Sequence, residues 1–418
     1  MNRPQRGVRL LLSLLFLTLL QCGRSDSASP AGETDASFAR PAVDMAKSNS
    51  LPIYAHYMPW FADKTSSGNG RWGLHWTMAQ RDPDQINADG SRQIAAHYYP
   101  SVGPYASSDR DLIDYHLLLM KFSGIDGLLI DWQSAHDAHD YDLNRRNAEA
   151  LIARVDAAGL GFAIVYEDYS AAEVAQVQPT RPPIDIARAD LRYIAATYFT
   201  HERYIYIEGA PLLLVFGPRL FETPAEWAQI LSDEMPLPNV LSLWHQSSDM
   251  GSHAAGEFAW VYKNHLEDLQ NFYEETAPKL DIALGAAYPG FRDFYAEGGW
   301  GTGLGWQIAH EEGATLAQTL ALAQEADIDA LQLVTWNDIG EGTMFEPTRE
   351  FGYAFLEQVQ RFAGVSHTRA DLQRVHQLYV LRKEHAGDLA IQEQLDQVFY
   401  CLVSLQMEKA SALLEAIE

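Results

Sequence analysis

From residue 51 onwards, short β-branched or aromatic runs alternate with longer stretches of helical periodicity, and this alternation constrains the fold more than any other feature of the chain. A continuous apolar run bounded by turn residues marks a strand buried on both faces. Eight segments qualify: 52–60, 127–132, 162–167, 212–216, 240–245, 258–262, 282–288 and 330–336. Between them, 111–122, 144–158, 185–199 and 314–326 carry apolar residues at spacings of three and four, the pattern of amphipathic helices. Eight such units closing on themselves predict an α/β fold of the (β/α)8 barrel type. The sixth run is the weakest, and an open doubly wound sheet is the competing arrangement.

The barrel is expected over 51–363, with 349–362 as its last helix. The remainder, 364–418, reads as a C-terminal helical appendage of two or three helices. Leu372, Val375, Leu378 and Leu381, then Leu395, Val398, Phe399, Leu402 and Leu405, would form its apolar face against the barrel wall or a partner.

At the other end, Arg3, Arg6 and Arg9 precede an apolar run over 10–20. That run falls short of the ~20 residues needed to span a bilayer, so residues 1–22 read as a secretory signal. Cys22 directly after it resembles a bacterial lipoprotein cleavage box and is the expected lipid attachment site; a plain secretory signal cleaved near Ala28 to Ala31 is the alternative. Residues 23–50, rich in Ser, Ala, Asp and Pro, read as a flexible tether. The expected location is therefore the cell envelope or the medium, with membrane contact only through the anchor.

Charge narrows the partners. Against 30 Lys and Arg stand 56 Asp and Glu, a formal net charge of −26, which repels nucleic acid. No Cys/His cluster has zinc spacing, the only cysteine besides Cys22 is Cys401, and neither a metal nor a cofactor is expected.

Barrels of this type place their chemistry at the C-terminal ends of the strands. There the sequence sets His56, Tyr57 and Trp60, then Asp131 and Trp132, then Glu167 and Asp168, followed by Trp244-His245, Tyr262, Tyr288 and Trp336-Asn337-Asp338 with Glu341 close behind. Aromatic rings with a few carboxylates suit sugars, whose C–H faces stack on aromatics while their hydroxyls bind carboxylates and amides. Expected sugar contacts are His56, Tyr57, Trp60, Asp131, Trp132, Glu167, His245, Tyr262, Tyr288 and Asn337, headed by Tyr57, Trp132 and Glu167. Cleaving a glycosidic bond calls for two carboxyls, and Asp338 and Glu341 lie three positions apart between Gly340 and Gly342. A turn-opening Asp338 and a helix-capping Glu341 would look the same in sequence. Glu346 and Glu350 read as salt-bridge partners, the loop 61–89 as one wall of a cleft, and the Gly-rich run 298–303 as a flap.

These residues carry a resemblance. Trp336-Asn337-Asp338-Ile339-Gly340-Glu341-Gly342-Thr343 through Glu346-Pro347 is similar to the signature of glycoside hydrolase family 99, the endo-α-mannosidases, and of its relative family 71, the α-1,3-glucanases. So are His97-Tyr98-Tyr99-Pro100, Gly103-Pro104-Tyr105 with Ser107-Ser108-Asp109, the run Gly124 to Trp132, and Tyr57-Met58-Pro59-Trp60. Asp338 stands where the mannosidases carry Glu and resembles the glucanases; Gly342-Thr343 and Glu346-Pro347 resemble the mannosidases.

The resemblance implies an oligosaccharide or polysaccharide substrate with α-linkages. Glu341 would be the general acid/base and Asp338 its partner carboxylate. In a mannosidase-like route Asp338 takes the proton of the substrate's own 2-hydroxyl, with an anhydro-sugar intermediate and retention; in a glucanase-like route the pair activates water and inverts. Two other classes stay open: a carbohydrate-binding barrel without turnover, and a metal-dependent barrel hydrolase, against which no His-x-His follows the first strand.

Overall fold

In the structure, a computed structural model that describes residues 40–231 and 236–417, seven of the eight expected runs coincide with strands, and the sixth, 258–262, meets its strand only at Phe258. The expected signal segment and Cys22 lie outside those residues. The strands are β1 (Ile53–Tyr57), β2 (Gly127–Trp132), β3 (Gly161–Tyr166), β4 (Ala210–Val215), β5 (Asn239–Leu243), β6 (Gly256–Phe258), β7 (Ile282–Ala287) and β8 (Ala330–Leu333). Each pairs in parallel with its neighbours, β3 joins β4, and β8 returns to β1, where Ile53 faces Leu331. The sheet is thus a closed barrel, and every residue of β1, β2, β7 and β8 is buried, in keeping with their largely apolar sequences. A two-residue strand, Tyr206–Ile207, adds antiparallel to the edge of β4.

The faintness of the sixth run has a structural cause. β6 is short and opens at Gly256, where a Cβ would collide with the Ile282 carbonyl of β7. Glycine is used for close backbone approach, so the strand lost the β-branched residue that would have announced it.

Helices wrap the barrel at Arg110–Phe122, Tyr141–Ala158, Pro183–Thr197, Pro224–Ile230, His265–Asn271, Ala314–Glu325 and Ala354–Ala363. Asp109 caps the first by accepting the backbone N–H groups of Asp111 and Leu112. The last begins at Ala354 rather than near 349. Residues 348–352 hydrogen-bond elsewhere: the Arg349 N–H reaches the Tyr99 carbonyl at 2.8 Å, and Gly352 folds back onto Thr348.

The appendage is three helices, Arg369–Glu384, Leu389–Val403 and Met407–Glu415, and it packs on the barrel wall. Its expected apolar positions are buried except Leu405, which is half-buried in the turn after the second of these helices. Arg382, buried, pairs with Asp114 at 2.7 Å and Asp111 at 3.4 Å on the helix Arg110–Phe122, and with Asp396 at 2.9 Å. Arg154 meets the same Asp114 at 2.8 Å.

Residues 40–50, the end of the expected tether, are not free. Val43 N–H donates to the Val403 carbonyl at 3.0 Å, Asn49 N–H to Ala363 at 3.1 Å, and Lys47 Nζ lies 2.5 Å from Asp126. The segment straps the tail to the start of β1. No helix among the described residues is long and apolar enough to cross a membrane.

Candidate active site

At the C-terminal ends of the strands the loops enclose a cavity of about 970 Å³. Asp338, Glu341, His56, Trp60, Asp131, Glu167, His245 and Tyr262 all line it, from β1, β2, β3, β5, β6 and β8 or the loops after them.

Four expected sugar contacts stand elsewhere, for reasons of strand periodicity. Successive side chains on a strand face opposite ways, so His56 and Asp131 face the cavity while their neighbours Tyr57 and Trp132 face the helices. The Tyr57 hydroxyl meets His116 Nδ1 at 3.1 Å on the helix Arg110–Phe122, and Trp132 stacks on Tyr193 at 6.0 Å. Tyr288 is buried, its backbone bonded to Thr319 of the helix Ala314–Glu325. Asn337 is also wholly buried: its Oδ1 accepts the Met58 N–H at 2.9 Å, while its Nδ2 donates to the Met58 carbonyl at 3.0 Å and to Tyr105 Oη at 3.3 Å. Asn337 therefore clamps the loop after β8 to the end of β1 rather than lining the cavity.

That loop is fixed from several sides. Asp338 N–H donates to Thr335 Oγ1 at 2.8 Å, and Asp338 Oδ1 accepts the Glu341 N–H at 3.0 Å. Arg292 and Phe294 donate their N–H groups to the carbonyls of Glu341 and Gly340 at 2.8 and 2.9 Å. Gly342 takes φ +69°, which L side chains rarely adopt, and a Cβ there would press on Tyr98 at 3.0 Å and the Arg292 carbonyl at 3.1 Å. The segment 97–100 serves the same end, since Tyr98 packs on His310 and His310 Nε2 meets the Gly342 carbonyl at 2.8 Å.

Behind the loop lies a buried polar chain. Tyr105 Oη donates to Glu346 Oε2 at 2.7 Å, and Glu346 Oε1 lies 3.3 Å from His116 Nε2, whose other nitrogen meets Tyr57. Glu346 thus faces a histidine rather than a Lys or Arg, and Glu350, also expected as a salt-bridge partner, accepts the Tyr99 N–H at 3.0 Å.

The carboxyl groups do not sit in ordinary surroundings. Burial raises the Asp338 pKa well above the carboxylate range, and the charge of Glu341 adds to it. Burial also raises Glu341, opposed by the Tyr295 hydroxyl, which donates to Glu341 Oε1 at 2.6 Å. Asp131 and Glu167 form a second pair. Burial and then the neighbouring Glu167 push Asp131 well up, and Gln133 Nε2 donates to Asp131 Oδ2 at 2.5 Å. Glu167 is raised by burial and lowered by the charge of Arg219. Like charges held close together disfavour joint ionisation, which adds to burial in raising Asp338 and Asp131 the most.

Aromatic rings make up most of the walls. Trp60 stacks on His75 at 4.2 Å, Phe291 on Trp306 at 4.1 Å, and Trp260 meets His56 edge-on at 4.7 Å. The loop 61–89 contributes His75 and Met78, and the Gly-rich region contributes Trp300, Leu304 and Trp306. His245 lines the cavity in a left-handed conformation, φ +66°, and Glu257 of β6 accepts its N–H at 2.7 Å.

Arg219, Tyr295 and Trp260 also line the cavity but were not singled out from the sequence. Trp260 falls inside the sixth run and could have been read there; Arg219 and Tyr295 come from irregular loops that carry no periodicity. Asp168, adjacent to Glu167, turns out to hold one of those loops: its carboxylate accepts the N–H groups of Arg219, Leu220 and Phe221 at 2.8 to 3.1 Å. Among the described residues no His, Cys, Asp and Glu side chains are grouped to hold a metal ion.

Known proteins share this architecture. Residues 50–237 match the family described as Glycosyl hydrolase family 99, a stretch that ends ahead of Asp338 and Glu341. Glycoprotein endo-alpha-1,2-mannosidase-like protein of Mus musculus is 25% identical over 214 residues, 46% of this chain and 44% of the relative. Its Homo sapiens counterpart is 25% identical over 200 residues, 44% of this chain and 40% of the relative. The chain thus matches less than half the length of these curated relatives. Among solved structures, the GH99 endo-alpha-mannosidase from Bacteroides thetaiotaomicron superposes with a TM-score of 0.57 at 17% identity, over 78% of this chain and 98% of that one. A glycoside hydrolase-like protein superposes with a TM-score of 0.55 at 11% identity, over 80% and 99% of the respective chains. The chain is thus similar to glycosyl hydrolase family 99 over residues 50–237, and its (β/α)8 barrel is the fold of a solved GH99 endo-alpha-mannosidase.

Proposed function

We propose that this chain hydrolyses α-linked glycans, with Glu341 as the general acid/base and Asp338 as its partner carboxylate. One observation carries the reading: the two carboxyls converge, largely withdrawn from water, in a single aromatic-walled cavity at the strand ends. Two like charges so close disfavour joint ionisation, and the mechanism requires the remaining proton on Glu341 at the start, although burial raises Asp338 the more strongly. The relatives' names, endo-alpha-1,2-mannosidase-like and endo-alpha-mannosidase, favour an α-mannoside over an α-glucoside.

In the first step Glu341 gives its proton to the glycosidic oxygen as the bond from that oxygen to the anomeric carbon breaks. Asp338 takes the proton of the 2-hydroxyl, whose oxygen closes on the anomeric carbon. In the second step Glu341, now ionised, draws a proton from water, which opens the ring while Asp338 returns its proton to the 2-oxygen. The configuration is retained. Were Asp338 instead to activate water directly, the product would be inverted, so product stereochemistry read by NMR separates the two routes.

Glu341→Gln is expected to abolish product release from α-linked manno-oligosaccharides while leaving their binding measurable. Asp338→Asn is expected to slow turnover by about 10²–10⁴-fold. Full activity in Glu341→Gln would remove that residue from the mechanism. Binding by the wild type without products from any α-mannan or α-glucan would make the protein a carbohydrate-binding barrel. The same proposal places the protein outside the cytoplasm through residues 1–22 with lipid on Cys22, which mass measurement of the mature N-terminus tests.

A further inference from the structure

We infer that Arg219 recognises an acidic group on the glycan, a carboxylate or a phosphate or sulfate ester on a sugar seated against the wall that Arg219 shares with Phe216. This inference rests on reading the cavity as a glycan site and adds to it the chemical class of the substrate.

Among the residues lining the cavity, Arg219 is the one Lys or Arg, set against Asp131, Glu167, Asp268, Asp338 and Glu341. An arginine placed there to neutralise carboxylates would be expected to engage one, because the guanidinium fork matches a carboxylate edge with two hydrogen bonds. Elsewhere this chain does so: Arg154 meets Asp114 at 2.8 Å, Arg145 meets Asp142 at 2.6 Å and Glu149 at 2.7 Å, and buried Arg382 meets three aspartates. The Arg219 side chain is exposed to the cavity and has no hydrogen bond or ion pair among the described residues. It is close enough for its charge to favour the ionised forms of Glu167 and Glu341, yet its donors are unspent.

The group is also held in place. Its guanidinium carbon lies 4.4 Å from the centre of the Phe216 ring, and Phe216 is braced edge-on by Trp260 at 4.8 Å. Its backbone is pinned, both oxygens of Asp168 accepting the Arg219 N–H at 3.0 Å. Stacking occupies a face of the guanidinium and leaves its N–H edges open, the arrangement that receives an oxyanion with little ordering left to do. A neutral sugar hydroxyl could accept one such hydrogen bond, but only an anion matches both the fork and the charge. The negative charge an anion would meet is lessened at Asp131, whose carboxyl is held toward its neutral form by burial and by Glu167.

The test measures binding by calorimetry in the Glu341→Gln protein, using α-linked oligosaccharides in matched pairs. One pair differs by a uronic carboxylate against its reduced alcohol, another by a phosphate ester against a free hydroxyl. The acidic member of at least one pair should bind about tenfold or more tightly, and which pair responds identifies the anion. Adding Arg219→Gln should erase the preference by weakening the acidic member about tenfold more than its neutral partner, and Arg219→Lys should keep only part of it. Equal affinities within both pairs, or a preference that survives Arg219→Gln, would overturn the inference. The hydrolase reading is scored separately by products from the wild type. Arg219-dependent binding without products sinks the hydrolysis alone, and products with no acidic preference sink the Arg219 assignment alone.

Discussion

Asn337→Ala separates a structural clamp from a sugar contact. In the wild type the Asn337 side chain satisfies the Met58 N–H at 2.9 Å and the Met58 carbonyl at 3.0 Å, and touches Tyr105 Oη at 3.3 Å, with the residue fully buried. Truncation strands two backbone groups. Each buried polar group left without a partner costs about 1–3 kcal/mol, so the fold should lose about 2–6 kcal/mol. Entry of a water from the cavity past Met58 would bring the loss to the lower end of that range. Denaturant unfolding followed by tryptophan fluorescence reads the loss as a lower midpoint at unchanged slope. Kinetics supply a second readout. Asp338 is the next residue, so freeing the loop should lower kcat more than it raises KM, because positioning matters most in the transition state. A sugar contact behaves in the opposite way. A variant with stability within about 0.5 kcal/mol of wild type and a raised KM alone would refute the clamp.

Two further outcomes follow from named groups. Tyr295→Phe removes the hydrogen bond that holds the Glu341 pKa down, so that pKa should rise; because an acid acts in its protonated form, the alkaline limb of the kcat/KM profile should move to higher pH, and an unmoved limb would mean Glu341 is not the titrating acid. Asp190, buried and bonded to Ser134 and Ala135, has its pKa pushed up to about 7 by burial, above the 3.8 of an ordinary aspartate. Its contribution to stability is therefore complete below about pH 4 and lost as pH rises through about 7, so Asp190→Asn should flatten the wild-type decline of the urea midpoint across that window; an identical decline in the variant would refute the assignment.

Much of the fold was legible because a strand buried on both faces is largely apolar, a character that all eight runs share. β6 was faint because Gly256 makes way for a neighbouring carbonyl. For the site, the sequence located the strand ends but not the direction each side chain takes there. Near a strand terminus the alternation decides, and a one-residue difference separates Asp131 in the cavity from Trp132 behind it. Asn337 misled for a related reason: polar residues at a strand end serve equally well as backbone clamps. Arg219 and Tyr295 were invisible because loops position residues through tertiary hydrogen bonds, such as those of Asp168, that leave no periodic trace.

The buried Arg382 also bears on how the chain can be divided. Its aspartate partners sit on both sides of the boundary, Asp111 and Asp114 on a barrel helix and Asp396 in the appendage. Ending the chain near residue 363 would leave Asp114 with Arg154 alone, and would uncover the helix face on which Leu372, Val375 and Leu378 now lie. In a protein of net charge −26, unmasking aspartates adds repulsion where the remaining fold can least absorb it. A barrel trimmed of its tail is therefore not a smaller working unit but a different folding problem. Grafting this cavity into another protein would have to carry the three helices along.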